Sequence, residues 1–346
     1  MRRVLLLIAL VAMLAIPVSA VDITAPEVPE SGREFMPSSQ ESFGDGLLEV
    51  LRDALGYFQP DLKEAAGVCC GVIAVVMAVS IFQSLPGATE KTADLAGTVA
   101  VAFLLLKSAN SLINLGTQTV TEISEYGKLL LPVMTAAMAA QGGITTATAL
   151  YTGTAFFDTL LTGLISKLLT PMIYLFLALA AANSAAGEEL LKKLRDTIKW
   201  SMTWALKIIL YVFTGYISIT GVVSGTTDAA ALKAAKLTIS GVVPVVGGIL
   251  SDASEAVLVS AGTVKNAAGI YGLLAVIAVW IGPFLKIGAH YLMLKITAGV
   301  CGIFGSKRVT ELIQDFSGAM GFVLAMTGAA CLMLMISTVC FMKGVS

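Results

Sequence analysis

The sequence predicts an all-α fold, a polytopic transmembrane helix bundle, and three observations predict it. Hydrophobic residues make up 57% of the 346-residue chain and charged residues 13%, where a soluble domain carries about 25% charge. The mean hydropathy is +0.87. The charges gather between long apolar runs, which is the pattern of successive membrane spans. About seven or eight spans are expected, with kinked or re-entrant segments and interfacial amphipathic helices between them.

Residues 1–20 have the form of a signal peptide. Arg2 and Arg3 precede a short apolar run, Pro17 breaks it, and Ala20 ends a small-residue cleavage site. Residues 21–64 are expected to be extracytoplasmic: they hold ten acidic residues against three basic ones, Arg33, Arg52 and Lys63. Pro26, Pro29 and Pro37 make the first part a linker. Leu47, Leu48, Leu51 and Leu55 recur at helical spacing and predict an amphipathic helix on the outer surface. Residues 65–346 form the transmembrane domain.

Within that domain residues 66–85 carry no charge, a clear first span. Segments 95–115, 168–187, 200–223, 266–285, 287–305 and 316–342 read as further spans. The run 129–157 is charge-free but contains Pro132, Gln141, Gly142 and Gly143. If it crossed once, Lys192, Lys193, Arg195 and Lys199 would lie outside, against the tendency of basic loops to stay in the cytoplasm. A re-entrant hairpin at 129–157 removes the conflict and places 188–199 inside, together with Lys307 and Arg308. Two stripes, Leu190, Leu191, Leu194 and Ile198, then Val309, Leu312, Ile313 and Phe316 after a possible Ser306 cap, read as interfacial helices.

Ionisable residues inside spans are costly and invite a functional reading. Lys107, Lys207, His290 and Lys295 are the candidates, either for a water-filled path or as side chains that snorkel to the headgroups. A second candidate is a broken helix. Pro244 removes a backbone hydrogen bond, Gly247 and Gly248 loosen the next turn, and Asp252 and Glu255 follow. This is either a half-helix site of the kind transporters use or a kinked interfacial helix. Gly67 and Gly71 fit a small-xxx-small packing pattern.

Other functions lack their residues. The net charge is −1 and no basic patch interleaves with aromatics, so no nucleic-acid module is expected. With one histidine and five cysteines, all inside apolar runs, neither a metal site nor a disulfide framework is expected. Gly302-Ile-Phe-Gly305-Ser306-Lys307 has the wrong spacing for a phosphate loop. Val223-Ser224-Gly225 matches a serine intramembrane protease only loosely, with His290 as its sole available base. No enzyme, catalytic residue or cofactor is expected.

The stretch Ser240-Gly-Val-Val-Pro-Val-Val-Gly-Gly-Ile-Leu-Ser-Asp-Ala-Ser-Glu-Ala-Val-Leu, followed by Val264-Lys265-Asn266-Ala267-Ala268-Gly269, resembles the stage III sporulation protein AE family. So does the order of signal peptide, acidic outer segment and many spans, over essentially the whole chain. The resemblance implies a protein of endospore-forming bacteria, in the mother-cell membrane around the forespore. It implies partners too: the sister membrane proteins encoded with it in the stage III sporulation A operon, and a forespore membrane protein. Together these would form a channel or feeding tube needed for late forespore gene expression. No site residue is carried over from the family. The alternative is a stand-alone small-molecule permease, for which a faint repeat, Leu131-Pro132 against Val243-Pro244, each followed by a glycine pair, is the only sign.

Overall fold

The computed structural model describes residues 25–37, 42–84, 90–242, 247–304 and 307–343, with side chains for these except 90–91, 221–264 and 304. The signal peptide with Ala20, together with Pro244 and Ser306, lies outside the described residues. Gly247, Gly248, Asp252 and Glu255 fall within described helical backbone, but their side chains lie outside.

The elements in order are α1 (Glu30–Arg33), α2 (Phe43–Gln83), α3 (Glu90–Ala140), α4 (Ile144–Leu164), a π-helical turn (Ile165–Leu169), α5 (Thr170–Ala186), α6 (Glu189–Val242), α7 (Gly247–Phe304) and α8 (Lys307–Lys343). No strand occurs among the described residues. Among the described residues six helices are long and apolar enough to cross a membrane, with α4 and α5 counted as one through the π turn. The chain is a multi-pass membrane protein.

Hydropathy divides the chain into more segments than the helices do. The run 129–157 is a hairpin, but its arms are the ends of two long helices: α3 closes at Ala140 and α4 opens at Ile144. Gly142, at φ 93°, makes the turn, a conformation glycine adopts without a Cβ penalty. Likewise the segments read as two spans on either side of Lys286 belong to one helix, α7, continuous through Pro283 and Lys286 as far as Phe304. The outer amphipathic helix is also not separate. It forms the first turns of α2, where the Asp45 N–H donates to Ser42 Oγ at 3.2 Å. A helix of 41 residues such as α2 is about 60 Å long, about twice the hydrocarbon thickness of a bilayer.

The π turn has a local cause. Pro171 cannot donate to the carbonyl four residues back and its ring crowds that carbonyl. The helix widens instead, and the Thr170 N–H bonds to Ile165 O.

The core runs along α3, α7 and α8, which share the most extensive contacts. The most apolar window of α7 is 61% buried and that of α2 is 22% buried, so α7 is central and α2 peripheral. Tyr126, Phe176, Phe213, Phe316 and Phe341 are the largest fully buried side chains. Peripheral helices expose large apolar groups, among them Ile81 of α2 and Tyr211 and Ile219 of α6, as lipid-facing surfaces do.

The two amphipathic stripes behave oppositely. Val309, Leu312, Ile313 and Phe316 are buried, as expected of a packed face. Leu190 and Leu194 are exposed, and the residue that turns inward, next after Leu194, is Arg195. In α2 the packed face is Gly46, Val50 and Ala54, against α7, while Leu48 and Leu55 are exposed.

Candidate functional site

Two sets of polar residues cross the bundle. One lies at the end that carries the short turns. Gly187, at φ 72°, terminates α5 by donating its N–H to Asn183 O at 2.7 Å, a left-handed helix end that favours glycine. A Cβ on Gly187 would sit 2.7 Å from Arg308 Nη2, and Ser184 Oγ donates to Arg308 O at 2.8 Å. The turn between α5 and α6 therefore lies beside the start of α8, which gathers Lys192, Lys193, Arg195, Lys199, Lys307 and Arg308 toward one end. Arg195 is drawn inside by Asp315. Its Nη1 donates to Asp315 Oδ2 at 2.7 Å, while Nε and Nη2 donate to Asp196 Oδ1 at 3.0 and 2.9 Å. The side chains of Arg195 and Asp315 are only 9% and 12% exposed. Such a pair is held by its geometry, because each charge alone would be expensive there.

The other set joins α2 to α7. Lys286 Nζ donates to Glu64 Oε2 at 2.9 Å and lies 3.3 Å from Asp61 Oδ1. Asp61 and Glu64 are three apart, so one helix face presents both. One turn along α7, His290 is buried. Its Nδ1 lies 3.0 Å from Lys286 O, and its Nε2 is buried with no hydrogen-bond partner among the described residues. Glu64 is within electrostatic reach of His290. It also lines a groove of about 390 Å³ between α2 and α3, with Gly67, Val68, Gly71, Leu104, Lys107, Ser108 and Ser111. Gly67 has nothing within 4 Å of its Cβ position and Gly71 only Leu104 Cδ1 at 4.0 Å. Within this chain these glycines border an open groove and are not a packed seam.

The four intramembrane candidates do not converge. Lys107 is exposed in the groove and Lys207 is exposed on α6. Lys295 is exposed and donates to Tyr291 Oη at 2.9 Å, with its ammonium 5.1 Å from that ring's centre. Only His290 turns inward. Sequence reasoning missed Lys286, taken as the gap between two spans, and the pairs that bury Arg195 and Asp315. It also missed Asp158, which is buried on α4. The signal for Asp158 was present: it is one acid in an otherwise charge-free run from 129 to 166. No cluster of three or more metal-ligating side chains occurs among the described residues.

The model of the family described as "Stage III sporulation protein AE" matches residues 34–344. The chain belongs to that family. A relative, stage III sporulation protein AE of Bacillus subtilis (strain 168), is 24% identical over 239 residues. The match covers 69% of this chain and 60% of that protein. No solved structure matches the chain. Membership of the stage III sporulation protein AE family places the chain in sporulation. The six-span bundle with its basic end is the form that this member takes.

Proposed function

We propose that this chain is an integral membrane subunit of the sporulation channel, or feeding tube, that links mother cell and forespore, and that late forespore gene expression needs it. The observation that carries the reading is family membership over residues 34–344. In this reading the protein lies in the mother-cell membrane around the forespore and is in contact with its lipid. The end bearing Lys192, Lys193, Lys199, Lys307 and Arg308 faces the mother-cell cytoplasm, as basic turns prefer. Residues 25–37, packed through Gly32 against Val279 of α7, face the space between the two membranes. The sister proteins of the operon and a forespore membrane protein are its partners. It has no catalytic activity of its own. Peripheral helices with exposed apolar faces and the groove at Glu64 and Lys107 supply surface for neighbouring subunits.

The test is purification of tagged protein from sporulating cells, with transport measured in vesicles holding this chain alone. Co-purification with the sister proteins and no transport alone is the expected result. Transport by the isolated chain would replace the reading with a stand-alone permease. Orientation is tested separately: Lys193→Cys in a cysteine-free background should stay unlabelled by an impermeant maleimide applied to the side away from the mother-cell cytoplasm.

A further inference from the structure

We propose that Asp158 is a proton-binding site inside the bundle. Its carboxyl takes one proton from water and holds it where α4 packs against α3, α6 and α8. This stands apart from the channel reading, since it rests only on the surroundings of one side chain.

Asp158 is 8% exposed. Its Oδ2 accepts from the Ser124 hydroxyl of α3 at 2.5 Å. One turn earlier on α4, Thr154 Oγ1 donates to Ser337 Oγ of α8 at 2.9 Å. On the same stretch, Phe157 meets Phe213 of α6 edge-to-face and Tyr216 at a tilt, and the Tyr216 hydroxyl donates to Ala149 O at 2.9 Å. The ionisable groups on the facing stretches are Glu122, Glu125, Tyr126 and Lys128 of α3, Tyr211 and Tyr216 of α6, and Cys331 and Cys340 of α8. Lys128 is the one cation on those stretches. It is exposed, it acts on Asp158 only through space, and no ion pair joins the two among the described residues.

A carboxylate in such a place has lost its water and gained neither a cation nor a set of backbone N–H donors. One serine hydroxyl does not replace that hydration. The remaining way to lower the cost is to neutralise the group with a proton. The Ser124 contact suits both states. With a carboxylate the hydroxyl donates; with a carboxylic acid the acid O–H donates and Ser124 Oγ accepts.

The experiment is infrared spectroscopy of the full chain in lipid at neutral pH, comparing the native protein with Asp158→Asn, which keeps the shape. A carboxylic-acid carbonyl band present in the native protein and lost in the variant is expected. The band should also fade as pH is raised. Identical spectra for the two proteins would overturn the proposal. A second measurement uses dicyclohexylcarbodiimide, which adds to protonated carboxyls in apolar surroundings. The adduct should appear on the peptide containing Asp158 and not on the one containing Asp315, whose charge is matched by Arg195. Labelling of Asp315 with Asp158 unmodified would overturn it equally.

Discussion

Asp315 and Asp158 are buried to almost the same degree, 9% and 8% exposed, yet their surroundings differ completely. Asp315 faces the guanidinium of Arg195, which itself spans to Asp196. Asp158 faces a serine. Burial alone therefore does not say what an acid does inside this bundle; the partner does. A carboxylate with a guanidinium is a fastener between α6 and α8. A carboxyl with only a hydroxyl is a place where charge can be gained and lost.

The sharpest way to break the contrast is to strip Asp315. Asp315→Ala leaves Arg195 buried with only the exposed Asp196 as a counter-charge, and removing one member of a buried pair costs about 3–5 kcal/mol. Thermal unfolding in detergent should show a large drop, and Arg195→Met with Asp315→Leu should recover much of it. If Asp315→Ala unfolds like the native protein, the fastener reading is wrong.

Glycine packing provides the next pair of tests. Near Asp158, a Cβ on Gly153 would collide with the Tyr216 ring at Cε1. Gly153→Ala must push the ring away and should cost about 1–3 kcal/mol. It should also loosen the Tyr216 bond to Ala149, readable as faster amide exchange in α4. At the basic end, Gly187→Ala meets the flexible tip of Arg308 and a left-handed backbone, a strain of about 1–2 kcal/mol. Equal losses at the two sites would mean that the turn end is as tightly packed as the bundle interior.

The smallest expected effect is at Asp158 itself. If the group is already neutral, Asp158→Asn at neutral pH should change unfolding stability by less than about 1 kcal/mol. A loss as large as that of Asp315→Ala would place an ionised, structurally engaged carboxylate at both sites.

The class of fold was legible because hydropathy averages over twenty residues, which is the length scale of a membrane. The buried stripe Val309, Leu312, Ile313 and Phe316 was legible for a similar reason: its spacing is local. Hydropathy failed where a charge was matched by a distant partner. Lys286 looks like the end of a span until Asp61 and Glu64 stand beside it. Arg195 looks like the solvent face of a helix until Asp315, 120 residues away, draws it in. The leucines around Arg195 pointed outward for the same reason, since the helix has one orientation and the ion pair chose it. Helix continuity was the other loss. A glycine pair or a lone lysine resembles a boundary in one dimension, but Gln141–Gly143 turns the chain and Lys286 does not.

The π turn at Ile165–Leu169 has a consequence for phase. Leu161, Ile165, Leu169 and Ile173 are each fully buried and each four residues apart. On a regular α-helix every step of four overshoots a full turn by about 40°, so three steps would rotate the buried row by about 120° and carry it off its neighbours. The widened turn takes up that excess, acting as a phase corrector within a rod of 43 residues. It fixes the rotational setting of everything that follows, including Ser184 against Arg308 and the Gly187 stop. Deleting a single residue between 165 and 169 would turn that distal half by about 100°. The helix would remain as apolar and nearly as long, yet it would meet the basic end of the bundle with the wrong face.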